Sequence, residues 1–136
     1  EEGQGDGAVT LRVELVIPDR ELWSGEASTV IAKTTEGDIG VLTGRAPVFG
    51  ILAEGSLVEI VTEESRVKAA VSGGFLSVAD DRVSILAAQA QLGQDVDVEV
   101  TRSELAAALA EASPIAEDSP GARYARALLR AAGDQA

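Results

Sequence analysis

Histidine, cysteine and methionine do not occur anywhere in this 136-residue sequence. Without cysteine there is no disulfide framework and no thiolate nucleophile. Without histidine the usual imidazole base and the commonest metal ligand are gone. Aromatic residues are scarce at 3%, with one Trp, one Tyr and two Phe, so a core has to be built from Val, Leu, Ile and Ala. Cations are also few. Eleven Lys and Arg face 23 Asp and Glu, a net charge of −12. That balance argues against nucleic acid, whose phosphates need clustered cations, and against adhesion to anionic lipid. It suits a basic partner surface. No apolar run reaches the roughly 18–20 residues of a membrane span, so no direct membrane insertion is expected. The opening Glu1–Gly7 is acidic and glycine-rich, unlike a secretory leader, and residues 1–8 are expected to be a disordered tail.

What remains is an aliphatic, mostly alternating pattern. Val9, Leu11, Val13, Leu15 and Ile17 alternate with Thr10, Arg12 and Glu14, the period of a half-buried strand. Pro18-Asp19-Arg20 interrupts it, and Leu22-Trp23-Ser24-Gly25 forms a short piece in which Trp23 reads equally as core anchor or interface residue. Ser28–Thr34 is β-branched. Leu57–Thr62 with Arg66–Val71 reads as a hairpin around Glu63-Glu64-Ser65, and Phe75–Val78 with Val83–Leu86 as another around Asp80-Asp81. Many short strands at about 8–12-residue spacing predict a sandwich or barrel.

The period changes after Gln89. Gln91–Val100 reads as a polar connector, and Thr101-Arg102-Ser103-Glu104 matches a capping box opening a helix over Leu105–Ala112, stopped by Ser113-Pro114. Ser119-Pro120 reads as an N-cap and first helical residue, Ala122–Ala132 as a second helix, and Gly133 as its C-cap. The expected organisation is mainly β with α: a β-sandwich of about ten short strands over residues 9–88, a linker over 89–100 and a two-helix hairpin over 101–136.

For chemistry, only paired carboxylates remain. Asp80-Asp81, Glu63-Glu64 and Asp95 with Asp97 all fall in predicted turns or linkers, where acids are ordinary solvated residues. Asp95, Asp97 and Glu99 lack calcium-loop spacing, and the glycine-bearing start precedes a strand rather than a helix, so it is no phosphate loop. No catalytic, cofactor or metal site is expected.

The most informative stretch is Glu36-Gly37-Asp38-Ile39-Gly40-Val41-Leu42-Thr43-Gly44-Arg45-Ala46-Pro47, followed some thirty residues on by Val71-Ser72-Gly73-Gly74-Phe75-Leu76-Ser77-Val78. Gly37, Gly40 and Gly44 suggest positive φ or close backbone approach, and Pro47 denies Ala46 a helical conformation. Gly73 and Gly74 read as structural, letting a strand bend, and Phe75 as a ring supplied to the core. In order and spacing the two blocks resemble the epsilon subunit of F-type ATP synthases, whose first block reads acidic-Ile-Gly-aliphatic-Leu-Pro-Gly-His-Ala-Pro and whose second reads Gly-Gly-Phe-aliphatic-x-Val. The likeness covers Val9–Leu86 well, and the Pro-interrupted hairpin is most similar to actinobacterial members.

The resemblance implies a non-catalytic central-stalk subunit. It would couple the gamma subunit to the membrane rotor ring at the cytoplasmic face of the cell membrane, as a peripheral component. Its docking edge would be Asp38 with Thr43, Gly44 and Arg45. Thr43 stands where the family has Pro and Arg45 where it has His, replacing a titratable ring by a fixed charge. Arg123, Arg126 and Arg130 lie on one helical face. They read either as a solvated face or, by the resemblance, as a regulatory tail that meets the alpha and beta head subunits and restrains ATP hydrolysis. Some members bind ATP through Ile/Leu-Asp-x-x-Arg-Ala; here Val96-Asp97-Val98-Glu99-Val100-Thr101 puts Val100 where that Arg belongs, so no such site is expected. The rival readings are a free-standing ligand-binding β-sandwich and a carboxylate-dependent hydrolase.

Overall fold

The computed structural model of the chain describes residues 10–109 and 120–133. Its strands form two five-stranded layers. One runs in the order β5 (Val48–Leu52), β8 (Gly74–Ala79), β9 (Arg82–Ala87), β1 (Leu11–Ile17) and β2 (Arg20–Ala27). The other runs β4 (Gly37–Val41), β3 (Thr29–Thr34), β6 (Ser56–Val61), β7 (Arg66–Val71) and β10 (Ala90–Leu92). The layers join at a corner where Thr34 pairs with Leu52, Thr35 N donates to Ile51 O at 2.9 Å and Ala53 N donates to Lys33 O at 2.9 Å. β1 lies parallel to β9, whereas the hairpin pairs are antiparallel.

Alternation builds the core. Leu11, Val13 and Leu15 of β1, Val58 and Ile60 of β6, Leu76 and Val78 of β8, and Val83 and Ile85 of β9 all point inward and are fully buried. With no large rings among them, the interior is filled by branched aliphatics, whose stiff side chains suit a pleated surface. Trp23 is half-buried and packs against the edge of this core, its ring lying over Gly25.

The sandwich is followed by a 3-10 turn at Gly93–Asp95, α1 (Val98–Leu109) and α2 (Pro120–Ala131). α2 buries a stripe of Ala122, Ala125, Ala127, Leu128, Leu129 and Ala131. It lies on the outer face of β6 and β7, where Ala70, Leu57 and Val96 meet Ala127, Leu128, Ala131 and Tyr124. β7 therefore serves two cores: Ala69 and Val71 face the sandwich interior and Ala70 faces the helix. α1 packs on α2. Beyond α2, Gly133 at φ 89° donates to Arg130 O at 3.0 Å and closes the helix.

Several expectations change. The connector contains β10, which pairs with β7. The first helix begins at Val98, not after Thr101. Asp97 is its N-cap, with Oδ1 accepting from Val100 N at 3.1 Å, while the Thr101 hydroxyl donates to Asp97 O at 2.8 Å from inside the first turn. Gly40 has neither positive φ nor any atom within 4 Å of where a Cβ would stand. Phe75 is no core ring; it points outward from β8. The tail at residues 1–8 and the caps at Ser113-Pro114 and Ser119 lie outside the described residues.

Candidate functional site

The docking edge read from the first glycine block begins on β4. Asp38 is exposed and stands across from Lys33 of β3. Thr43, Gly44 and Arg45 follow in the turn after the strand, with Arg45 and Pro47 exposed. This turn is held from another part of the chain. Gly44 N donates to Asp81 Oδ1 at 2.7 Å. Asp81 and Asp80 have φ of 61° and 53° and make the tight turn between β8 and β9. The main chain of Asp81 also accepts from Arg12 N at 2.8 Å. Asp81 is thus a brace for the loop, and both short polar side chains of the turn suit it because they tolerate left-handed backbone.

Beside this edge lies a feature that sequence reasoning missed. Phe49 and Ile51 of β5, Phe75 of β8 and Leu86 of β9 point away from the core, with exposures of 65%, 51%, 48% and 47%. Register places Ile51 opposite Phe75 and Phe75 opposite Leu86, so the stripe crosses three neighbouring strands. The Phe49 and Phe75 rings stack with centroids 5.5 Å apart. The signal was present in β8: since Leu76 and Val78 face inward, period two sends Phe75 and Ser77 outward. A cleft of about 360 Å³ joins the stripe to the edge, lined by Gly37, Asp38 and Arg45 on one side and Phe49 and Ile51 on the other.

Of the α2 arginines, Arg123 and Arg126 are half-buried and Arg130 is exposed. Arg123, Arg126 and Arg130 line a cleft of about 340 Å³ against the β3 and β6 side of the sandwich, shared with Lys33, Asp38, Glu54 and Glu59. Arg123 Nη2 pairs with Glu54 Oε1 at 3.2 Å. Asp38 lines both clefts. Asp38 therefore stands between Arg45 on one side and the α2 arginines on the other, while Gly44 is tied to Asp81. Gly73 and Gly74 lie at φ 133° and 145° where β8 begins, and a Cβ on Gly74 would stand 1.9 Å from Leu86 O. Tyr124, packed under α2, has its phenol pKa raised by burial.

Residues 10–93 match the family described as ATP synthase, delta/epsilon chain, beta-sandwich domain. The chain belongs to this family. An ATP synthase epsilon chain of Thermobifida fusca is 51% identical over 125 residues, covering 90% of this chain and 91% of that protein. One from Rhodococcus opacus is 53% identical over 97 residues, covering 71% and 80%. A chain in the cryo-EM structure of the Euglena gracilis mitochondrial ATP synthase, comprising OSCP, F1 and c-ring, superposes with a TM-score of 0.67 at 27% identity, covering 95% of this chain and 82% of that one. A chain of the Tetrahymena thermophila central stalk and c-ring, at 19% identity and TM-score 0.54 over 69% of this chain and 71% of that one, shares the fold. As an epsilon-type chain this one is a non-catalytic, peripheral subunit, and a free-standing ligand-binding sandwich is not favoured. No helix among the described residues is long and apolar enough to cross a membrane.

Proposed function

We propose that this chain is a central-stalk subunit of a proton-translocating ATP synthase, joining the gamma subunit to the membrane rotor ring at the cytoplasmic face of the cell membrane. The observation that carries this reading is the likeness to epsilon chains over nine-tenths of the length, sandwich and hairpin together. A rotor subunit does no bond chemistry. It has to transmit torque, which requires a stiff body with a well-packed partner interface. The sandwich is that body. The Phe49–Phe75–Leu86 stripe supplies apolar and aromatic anchors of the kind that dominate binding energy, and we assign it to gamma. The polar edge at Asp38 and Arg45, braced through Gly44 by Asp81, is assigned to the ring loops.

The tail regulates in this reading. With α2 on β6 and β7, Arg123, Arg126 and Arg130 line the cleft against the sandwich, so restraint of the alpha and beta head requires the helix to leave its bed. The test uses an ATP synthase head from a related bacterium, stripped of its epsilon subunit. Titrating in this chain should give saturable co-elution with gamma and a fall in ATP hydrolysis. Co-elution without that fall would reduce the tail to a structural role. Absence of binding to a head from a closely related species would sink the assignment.

A further inference from the structure

α2 rests on the sandwich through very small residues. Four of its buried positions are Ala122, Ala125, Ala127 and Ala131, so the helix backbone comes down close to the strands and loops beneath it. At two points nothing but glycine fits under it. A Cβ on Gly55, in the turn between β5 and β6, would stand 2.6 Å from the carbonyl carbon of Arg123 and 2.7 Å from Tyr124 N. A Cβ on Gly93, just after β10, would stand 1.9 Å from Ala131 O and 2.5 Å from its carbon. These are backbone atoms, which cannot swing aside as a side chain does. The two contacts lie about 12 Å apart along the helix, one near each end.

We propose that Gly55 and Gly93 form a two-point seat for α2. The absence of a side chain at these two positions, more than the Arg123–Glu54 ion pair, decides how firmly the helix is held. That ion pair is the weaker contact: Arg123 and Glu54 are 3.2 Å apart with side chains 37% and 60% exposed, and exposed pairs of this kind contribute little. The two glycines also differ in a useful way. Gly55 sits at φ 62°, so any side chain there strains the turn as well as the seat, whereas Gly93 carries no such backbone demand and the atoms nearest an added methyl are main-chain atoms of Ala131 and Ala132 at the end of the helix. Gly93 is therefore the cleaner probe. Any consequence for the ATP synthase head rests on the reading proposed above; the seat itself does not.

Hydrogen exchange on the isolated full chain tests this without any partner. In Gly93→Ala, overpacking against fixed backbone should speed exchange across residues 120–131 on the order of 10- to 100-fold, while amides of β8 and β9 keep their protection. Gly55→Ala, acting at the other end of the helix, should give the same local pattern. Glu54→Gln, which removes the ion pair alone, should speed exchange only about 2- to 5-fold. The seat is refuted by unchanged exchange in α2 of Gly93→Ala, by loss spread evenly into β8 and β9, or by a Glu54→Gln effect as large as that of Gly93→Ala. Failure of the chain to bind an ATP synthase head would leave the exchange result standing.

Discussion

Asp81 does two jobs with one residue: its backbone sits at φ 61° and its carboxylate accepts from Gly44 N at 2.7 Å. Substitutions separate the two. Asp81→Asn keeps an acceptor and a side chain that tolerates left-handed backbone, so stability should change by less than about 0.5 kcal/mol. Asp81→Gly relaxes the backbone but loses the bond, a cost of about 0.5–1.5 kcal/mol. Asp81→Ala loses the bond and adds left-handed strain of about 1–2 kcal/mol. Urea denaturation should rank them Asn, Gly, Ala in order of falling midpoint; Ala equal to Asn would show that the brace contributes nothing. The carboxylate role was hidden in the sequence because its partner lies 37 residues away. Phe75 failed for the opposite reason. Its signal is local: Leu76 and Val78 face inward, so the period of the strand faces the ring outward, however few rings the core has. Gly40 shows that a glycine inside a motif need not answer a backbone demand.

At the level of elements, hairpins with strong alternation were legible, and weak or duplicated signals were not. β10 is three residues with a glutamine at its centre, too short to show a period. The start of α1 carries two overlapping caps one turn apart, and Asp97 prevails because its carboxylate reaches Val100 N, leaving Thr101 to bond back inside the helix. The seating of α2 could not be read at all, since it depends on two glycines distant in sequence from the helix. Tyr124 reports on that seating. It is the sole tyrosine, and burial raises its pKa above the ordinary 10.0. The neutral phenol is favoured in the seated helix, so seating is at full strength below pH 10. Above that pH a released or unfolded helix sheds the proton more readily than a seated one, and seating weakens as pH rises through the raised value. Absorbance titration of the phenolate should give a midpoint above that of a free tyrosine in the native chain. In Gly93→Ala the midpoint should return toward the free value, and identical midpoints would mean that Tyr124 does not sense α2.

At the scale of the whole molecule, the described residues combine an aliphatic sandwich, a helix seated on one face and an exposed apolar stripe on another. The main core and the two layers followed from composition and period; the stripe did not, because exposure of large apolar residues is decided by which partner covers them. An isolated subunit gains little from keeping Phe49 and Phe75 outside. Their mutual stacking is worth about 0.5–1.5 kcal/mol at most, and surface positions of this kind seldom contribute more to folding. In an assembly the same rings would be fully desolvated, where truncating an aromatic anchor costs about 2 kcal/mol or more. Phe49→Ser with Phe75→Ser therefore separates folding from function. The doubly substituted chain should unfold within about 1.5 kcal/mol of the parent, with α2 exchange unchanged. Its affinity for an epsilon-depleted head should fall by roughly 30-fold or more, since each 1.4 kcal/mol is a factor of ten. Arg45→Ala, on the edge assigned to the ring, should leave binding to the isolated head intact. Undiminished affinity of the double variant would move the gamma contact to another face of the sandwich, whereas collapse of the fold would show that the stripe belongs to the core after all.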